Sequence, residues 1–203
     1  MSARQVSRTL WQSYKRQSIQ EAVVRLICRE GLESVTMERV AQEVGIAKGT
    51  VYLHYADKQE LLDAVKESAL APVMARIEEI VRGDGAADRK LRACSVRYLS
   101  YFDEHRDLFR ILLFEREVVR VHGSRYRSDR YRRLVNGTSQ VIVEGVQSGL
   151  FREVDPAKVA AMFVDSMIAV MNQRLLSDKP AVVEDDAELI SGVFIQGLEQ
   201  RKG

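Results

Sequence analysis

Between positions 48 and 58 the chain gathers Lys48, Thr50, Tyr52, His54 and Lys58, each carrying a hydrogen-bond donor, with Gly49 set between the first two. No nucleophile, acid–base pair or metal-ligand spacing runs through this cluster. Donors so arranged suit a polyanion. Lysine matches the acceptors of guanine, the threonine methyl matches thymine, and Tyr52, His54 and Lys58 can donate to phosphate oxygens. Glycine permits close backbone approach, at about 1 kcal/mol in helix propensity relative to alanine. Upstream, Thr36 is either a helix cap alone or a cap that also meets a phosphate.

These residues need elements to position them. From Thr36 a short helix presents Val40, Ala41 and Val44 on one face, and Gly45 can end it in the left-handed conformation. After a turn through Ile46 and Ala47, a second short helix turns Val51 inward and Lys48, Thr50, Tyr52 and His54 outward. Two short helices and a tight glycine turn make a helix-turn-helix, whose second helix would enter a DNA major groove with Lys48 and Thr50 leading. Tyr55 is expected to pack inward. A preceding helix over Gln17–Arg29, with Ile19, Val23, Leu26 and Ile27 at helical spacing and Gly31 closing it, supplies support. Isolated helices below about 12 to 15 residues rarely persist in water. Ahead of it, Arg4, Arg8, Lys15 and Arg16 occur without an acidic residue, as a basic arm or a solvated terminus.

The rest of the chain reads as longer helices. Asp57 with Glu60 opens one that runs through Pro72 to about Arg82 on Leu61, Leu62, Val65 and Ala69, and it serves either as a spacer between domains or as a lever on the recognition helix. Gly83–Asp88 is the clearest break. Leu91, Cys94, Tyr98, Leu99, Tyr101 and Phe102 populate the next helix, and Leu108, Ile111, Leu112 and Phe114 a shorter one. Arg116–Arg133 is rich in arginine, including Arg120, Arg125, Arg127, Arg130, Arg132 and Arg133, around Gly123-Ser124. It reads as a solvated loop and helix start, a second nucleic-acid surface, or the source of one arginine for an anionic ligand. A helix from Tyr126 to Ser148 ends at Gly149, and Asp155-Pro156 starts another in the favoured cap-then-proline order. The last runs from about Glu184 to Gln200.

With 203 residues, 46% of them hydrophobic, the chain can bury a real core. A net charge of +2 does not by itself announce a nucleic-acid binder, so that reading rests on where the charges lie. With three prolines and few alternating runs, the fold class expected is all-α, about nine helices, with a helix-turn-helix domain over residues 1–62 and a larger helical domain over 63–203. Cys28 and Cys94 have no metal-ligand spacing and are expected as buried thiols. No secretory signal or run of about 18 apolar residues is present, so a cytoplasmic protein without a membrane partner is expected. The three histidines, His54, His105 and His122, have no metal-binding spacing, and no nucleophile motif or phosphate-cradling loop appears. An enzyme, a metal site and a cofactor are therefore not expected.

Gly31, Thr36, Val40-Ala41, Val44-Gly45-Ile46, Gly49-Thr50-Val51-Tyr52, His54-Tyr55, Lys58 and Glu60-Leu61-Leu62 together resemble the TetR/AcrR family of bacterial transcriptional regulators over residues 17–66. The sequence departs from that family at Ala47, where a small hydroxyl residue is common. The resemblance implies Thr36, Lys48, Gly49, Thr50, Tyr52, His54 and Lys58 as the DNA-facing set. It also implies a homodimeric repressor released from a palindromic DNA operator by a small hydrophobic or amphipathic effector. A ligand-independent architectural factor or activator is the alternative. The implied effector pocket draws on Tyr98, Tyr101, Phe102, His105, Phe109, Phe114, Met162, Phe163, Met167 and Met171, with Asp165 as a carboxylate needing a partner. The broad apolar stripes of the last two helices suggest a four-helix interface through Val164, Ile168, Leu189, Ile190, Val193, Phe194 and Gly197.

Overall fold

A computed structural model describes residues 3–114 and 129–200, with side chains described for 11–113 and 129–200. Among them are nine α-helices and no strand beyond an isolated antiparallel bridge between Phe151 and Glu199. The helices are α1 (Ala3–Glu30), α2 (Met37–Val44), α3 (Lys48–Tyr52), α4 (Lys58–Arg82), α5 (Ala87–Glu104), α6 (Arg106–Phe114), α7 (Asp129–Gln147), α8 (Pro156–Leu176) and α9 (Val183–Leu198). The all-α expectation is met.

The chain forms two compact units. The first holds residues up to Leu70 together with those from Asp107, and the second holds Ala71–Arg106 and the rest. The chain leaves the first unit inside α4 and returns to it inside α6.

In the first unit, Ile19, Val23, Leu26 and Ile27 of α1 close over Val40 and Ala41 of α2 and Val51 of α3, all 3% exposed or less. Leu61, Leu62 and Val65 from α4 and Leu112 from α6 complete that core. The basic segment before Gln17 is not an arm: α1 begins at Ala3. No glycine or proline interrupts residues 3–30, and the core-anchored second half supplies the costly nucleus from which the first half propagates. Cys28 is exposed, contrary to expectation, because it lies on the solvent side of α1. Cys94 is buried, and burial pushes its thiol up to about 12.

In the second unit α5 packs on α9, α7 and α8, and α7 on α8. Asp155 caps α8, accepting from the amides of Ala157 and Lys158 at 3.1 Å, with Pro156 in the first helical position. Helix α8 has the length and composition of a membrane span, yet Phe163, Val164, Met167, Met171 and Leu175 are buried inside this unit, which accounts for its apolarity. Gly145 lets α7 meet the buried ring of Phe151: a Cβ there would lie 2.1 Å from Cδ2. Arg174, 5% exposed, ties three helices at one end, donating to Asp103 of α5 at 3.1 Å, to the Ala181 carbonyl at 2.9 Å and to Asp186 of α9.

Of the arginine-rich stretch, Arg116, Arg120, Gly123-Ser124, Arg125 and Arg127 lie outside the described residues, as do His122, the expected helix start at Tyr126 and the Phe114 side chain. Arg132 pairs with Asp129, and Arg133 lies 3.8 Å from Glu78.

Candidate nucleic-acid interface

The face begins at a cap. The Thr36 hydroxyl oxygen accepts from the Arg39 amide at 3.1 Å, so Thr36 starts α2 as its residue type predicts. At the other end Gly45 takes φ +75°, and the Ile46 amide then reaches back to the Ala41 carbonyl at 3.0 Å. That left-handed residue turns the chain within two residues and sets α3 across α2. Ala47 occupies the cap position of α3 with no side-chain hydrogen bond, so the departure at this position leaves the helix start uncapped.

Helix α3 is anchored by Val51, fully buried, and by Tyr55 just beyond it, 1% exposed. The Tyr55 hydroxyl accepts from Gln20 Nε2 at 2.9 Å, which ties the end of the motif to α1. With those two residues inward, Lys48, Gly49 and Tyr52 are exposed and Thr50 and His54 half-buried. Among the described residues nothing lies within 4 Å of where a Gly49 Cβ would stand, so none of them demands glycine there. Lys58, half-buried, opens α4, where the Glu60 amide donates to Asp57 Oδ1 at 2.8 Å and Glu60 Oε2 accepts from the Ala56 amide at 2.6 Å. Asp57 caps the helix as expected, and Glu60 reaches back one residue further than a capping box requires, to the Ala56 amide.

The charges of the face are specific. Lys48 pairs with Glu38 on α2, and that hydrogen bond holds its ammonium above the usual lysine value. Its Nζ also stands 5.9 Å from the Tyr52 ring centre. Burial first, and then the positive charges of Arg16 and Lys15, hold His54 below the ordinary imidazole value. Behind the face, Arg25 and Arg29 meet Glu43 at 3.2 and 3.1 Å, and Arg29 and Arg39 meet Glu30 at 2.8 and 2.7 Å. These exposed pairs link α1 to α2, and exposed pairs of this kind contribute little individually.

All seven residues expected on this face come from one short stretch around α2–α3–α4. Leu53 was not expected there, yet it is 84% exposed between Tyr52 and His54. Its signal was available: Val51 and Tyr55 are the inward pair, and a residue midway between them on a helix turns out.

The other two residue sets divide. Tyr98, Tyr101, Phe102, Phe163, Met167 and Met171 are 6% exposed or less. They pack as closed core, with Tyr98 and Tyr101 rings 4.9 and 6.1 Å from Phe102. Burial, its largest influence, raises the Tyr101 phenol above its ordinary value. His105 is exposed, with its ring 4.7 Å from that of Tyr101. Met162 is 61% exposed and Asp165 half-buried, so neither sits inside an apolar interior as expected. Phe109 falls in the first unit instead of among the C-terminal helices. A partly open cavity of about 180 Å³ lies between α4 and α7, lined by Met74, Ile77, Val81, Leu134, Arg82 and Arg133 among others. A depression of about 530 Å³ on α5 is lined by that helix alone, from Arg89 to Glu104, and is open. For the interface set, Val164, Ile168 and Ile190 are buried by their own chain and offer no surface to another. Leu189 and Val193 are 65% and 62% exposed, Gly197 is exposed, and half-buried Phe194 stacks edge-on against Phe163 at 5.3 Å.

A family model described as "Bacterial regulatory proteins, tetR family" matches residues 19–65, and one described as "Tetracyclin repressor-like, C-terminal domain" matches residues 84–173. Among curated proteins, the chain is similar to the HTH-type transcriptional regulator SAB2452 of Staphylococcus aureus, 34% identical over 43% of this chain and 46% of that one. The match thus spans about half the length of this relative. It is also similar to the fatty acid metabolism regulator protein of Bacillus subtilis, 22% identical over 68% of this chain and 72% of the relative. Among solved structures, the transcriptional regulator FadR of Bacillus subtilis in complex with stearoyl-CoA superposes with a TM-score of 0.73 at 18% identity, covering 90% of this chain and 99% of that one. The SmeT–triclosan complex gives 0.70 at 18% identity over 92% of each chain. At such identities these two superpositions establish the fold.

Proposed function

Because the chain belongs to the TetR family of bacterial regulatory proteins, a family of DNA-binding transcriptional regulators, we propose that it is a homodimeric repressor that reads a palindromic operator and is released from it by a small-molecule effector. The observation that carries this reading is α3. Its buried side is one valine, and its remaining residues face solvent as donors around a glycine that no described residue requires.

In this reading Lys48 and Thr50 enter the major groove and meet base edges, while Thr36, Tyr52, His54 and Lys58 hold phosphates and fix the register. Gly49 brings the backbone against the duplex. Lys48 exchanges Glu38 for a base or phosphate acceptor on binding, and Leu53 offers apolar contact to sugars or a thymine methyl at the trailing end.

Two copies are needed to read a palindrome. Met162 and Leu176 of α8 and Leu189 and Val193 of α9 are 58–65% exposed. On α8, Met162, Ala169, Gln173 and Leu176 fall on one stripe, the face that the same helices of a second copy would cover. Such a dimer sets two α3 helices for half-sites about 34 to 36 Å apart.

The effector enters the second unit. Two solved structures with this fold hold small molecules, stearoyl-CoA in one and triclosan in the other. A drug-sized ligand needs roughly 300 to 1,000 Å³, more than the α4–α7 cavity of about 180 Å³ offers. In this reading the aromatic and methionine core of α5 and α8 opens to admit one, which makes bound and free states differ in side-chain arrangement. Helix α4 contributes residues to both units. An effector acts only as far as it prefers one of the two arrangements. The protein works in the cytoplasm, where operator DNA is found.

Selection of bound fragments from a random duplex pool tests the reading. It should enrich an inverted repeat with half-sites about one helical turn apart; recovery of unrelated sequences at background frequency would count against it.

A further inference from the structure

Resting on that duplex-DNA reading, we propose that the front half of α1 is a second contact with the same duplex, in which Trp11, Tyr14 and Lys15 lie along the sugar–phosphate backbone flanking each half-site. Trp11 and Tyr14 are 58% and 63% exposed, with rings 6.1 Å apart and 17° from parallel. Lys15 Nζ sits 5.2 Å from the Trp11 ring centre. Exposed stacked aromatics beside a cation offer flat apolar area together with N–H, O–H and ammonium donors, a combination that fits deoxyribose and phosphate.

Charge and register select DNA as the occupant over other partners. Residues 1–20 contain no acidic side chain and four basic ones. At 100° per residue, positions 11 and 15 fall on the stripe of α1 that continues into Ile19, Ala22 and Leu26, the face closed over the helix-turn-helix, and positions 4 and 8 share it. The stripe that is core behind Ile19 is therefore aromatic and basic in front of it, on the same side of the helix. The same end of α1 also meets the segment that follows α3. The Arg16 guanidinium lies 4.8 Å over the Tyr55 ring, at the end of the motif. The positive charges of Arg16 and Lys15 also reach His54, where they add to burial in holding the imidazole below its ordinary value. From Ile19 to Trp11 the helix runs on the order of 12 Å at about 1.5 Å per residue. At about 3.4 Å per base pair, that reaches three to four pairs beyond the point where the core ends.

Trp11 is the chain's single tryptophan, so its emission reports on this contact alone. The test uses the selected palindrome in two duplexes, one trimmed at the outer half-site bases and one extended by about one helical turn on each side. The wild type is expected to bind the extended duplex several-fold more tightly, with a change in Trp11 emission on that duplex only. Trp11→Ala and Lys15→Ala should abolish the gain while leaving trimmed-duplex affinity and the helical circular dichroism unchanged, and Lys15→Ala should lower the salt slope on the extended duplex by about 1 per half-site. Equal wild-type affinity for the two duplexes, or a gain that persists in the variants, overturns the proposal and leaves the α3 reading standing. An emission change that follows protein concentration without DNA overturns it in favour of a second copy on this face. Failure to bind either duplex overturns both.

Discussion

At the scale of single residues, the most informative side chain is the one that is missing. Gly49 has open space where its Cβ would be and an ordinary helical backbone, so packing among the described residues gives no reason for glycine. Gly49→Ala should therefore stabilise the protein, by up to about 1 kcal/mol from helix propensity, while weakening operator binding. Thermal melts and titrations on one preparation check both signs, and a variant both destabilised and fully competent to bind would remove Gly49 from the interface. His54 gives a pH prediction. Its folded-state value is lowered, by burial first and then by Arg16 and Lys15. The unfolded chain thus takes up this proton at higher pH than the folded one. Its contribution to stability is present above the ordinary imidazole value and is lost as pH falls through the folded value. Phosphate contact works the opposite way and favours the proton, so operator affinity should rise as pH falls below the ordinary imidazole range, and His54→Gln should flatten that rise. Residue type and spacing place Lys48, Thr50, Tyr52 and His54 on the side away from the core, because helical register fixes which side each takes once Val51 is inward. They could not show that Lys48 is held by Glu38, since partners ten positions apart across a turn depend on how two helices cross.

At the scale of elements, α2, α3 and the start of α4 were legible because each boundary is marked by a residue with one conformational reason to be there: the Thr36 cap, left-handed Gly45, the Asp57 cap. The start of α1 was not. Its first half lacks an apolar periodicity, and helix there follows from continuation of an anchored helix, a property of the neighbouring segment. The aromatic and methionine residues of α5 and α8 are buried together; periodicity reports which face is apolar and is silent on whether a ligand will share the space. The tight passage of α7 over Phe151 was also hidden, since nothing in the sequence links Gly145 to a ring six positions on. Gly145→Ala would drive a methyl group into that ring, which is fully buried. The expected loss is about 1 to 3 kcal/mol, measured by denaturant unfolding, with Gly145→Ala, Phe151→Leu recovering part of it. An unchanged midpoint would mean that α7 and Phe151 are not in contact in solution.

At the scale of the molecule, two compact units share one chain, and α4 and α6 each contribute to both. The division of labour proposed for them, reading in the first and effector response with dimerisation in the second, makes the exposed side of α8 and α9 the part that must find a second copy. Val193→Glu should yield a folded monomer with sharply reduced operator affinity, checked by light scattering and circular dichroism. Val193 is the better probe than Phe194, whose ring packs on Phe163 within its own chain; an intact Val193→Glu dimer would place the interface elsewhere. The central claim, however, is that α3 reads bases in duplex DNA. The most direct measurement compares wild type and Lys48→Ala across a library of single substitutions in the selected operator. A base reader predicts that the variant loses discrimination at one position in each half-site, worth about 1 to 3 kcal/mol, while its preferences elsewhere and its fold are retained. An identical preference profile for the two proteins, with only a uniform change in affinity, would contradict it.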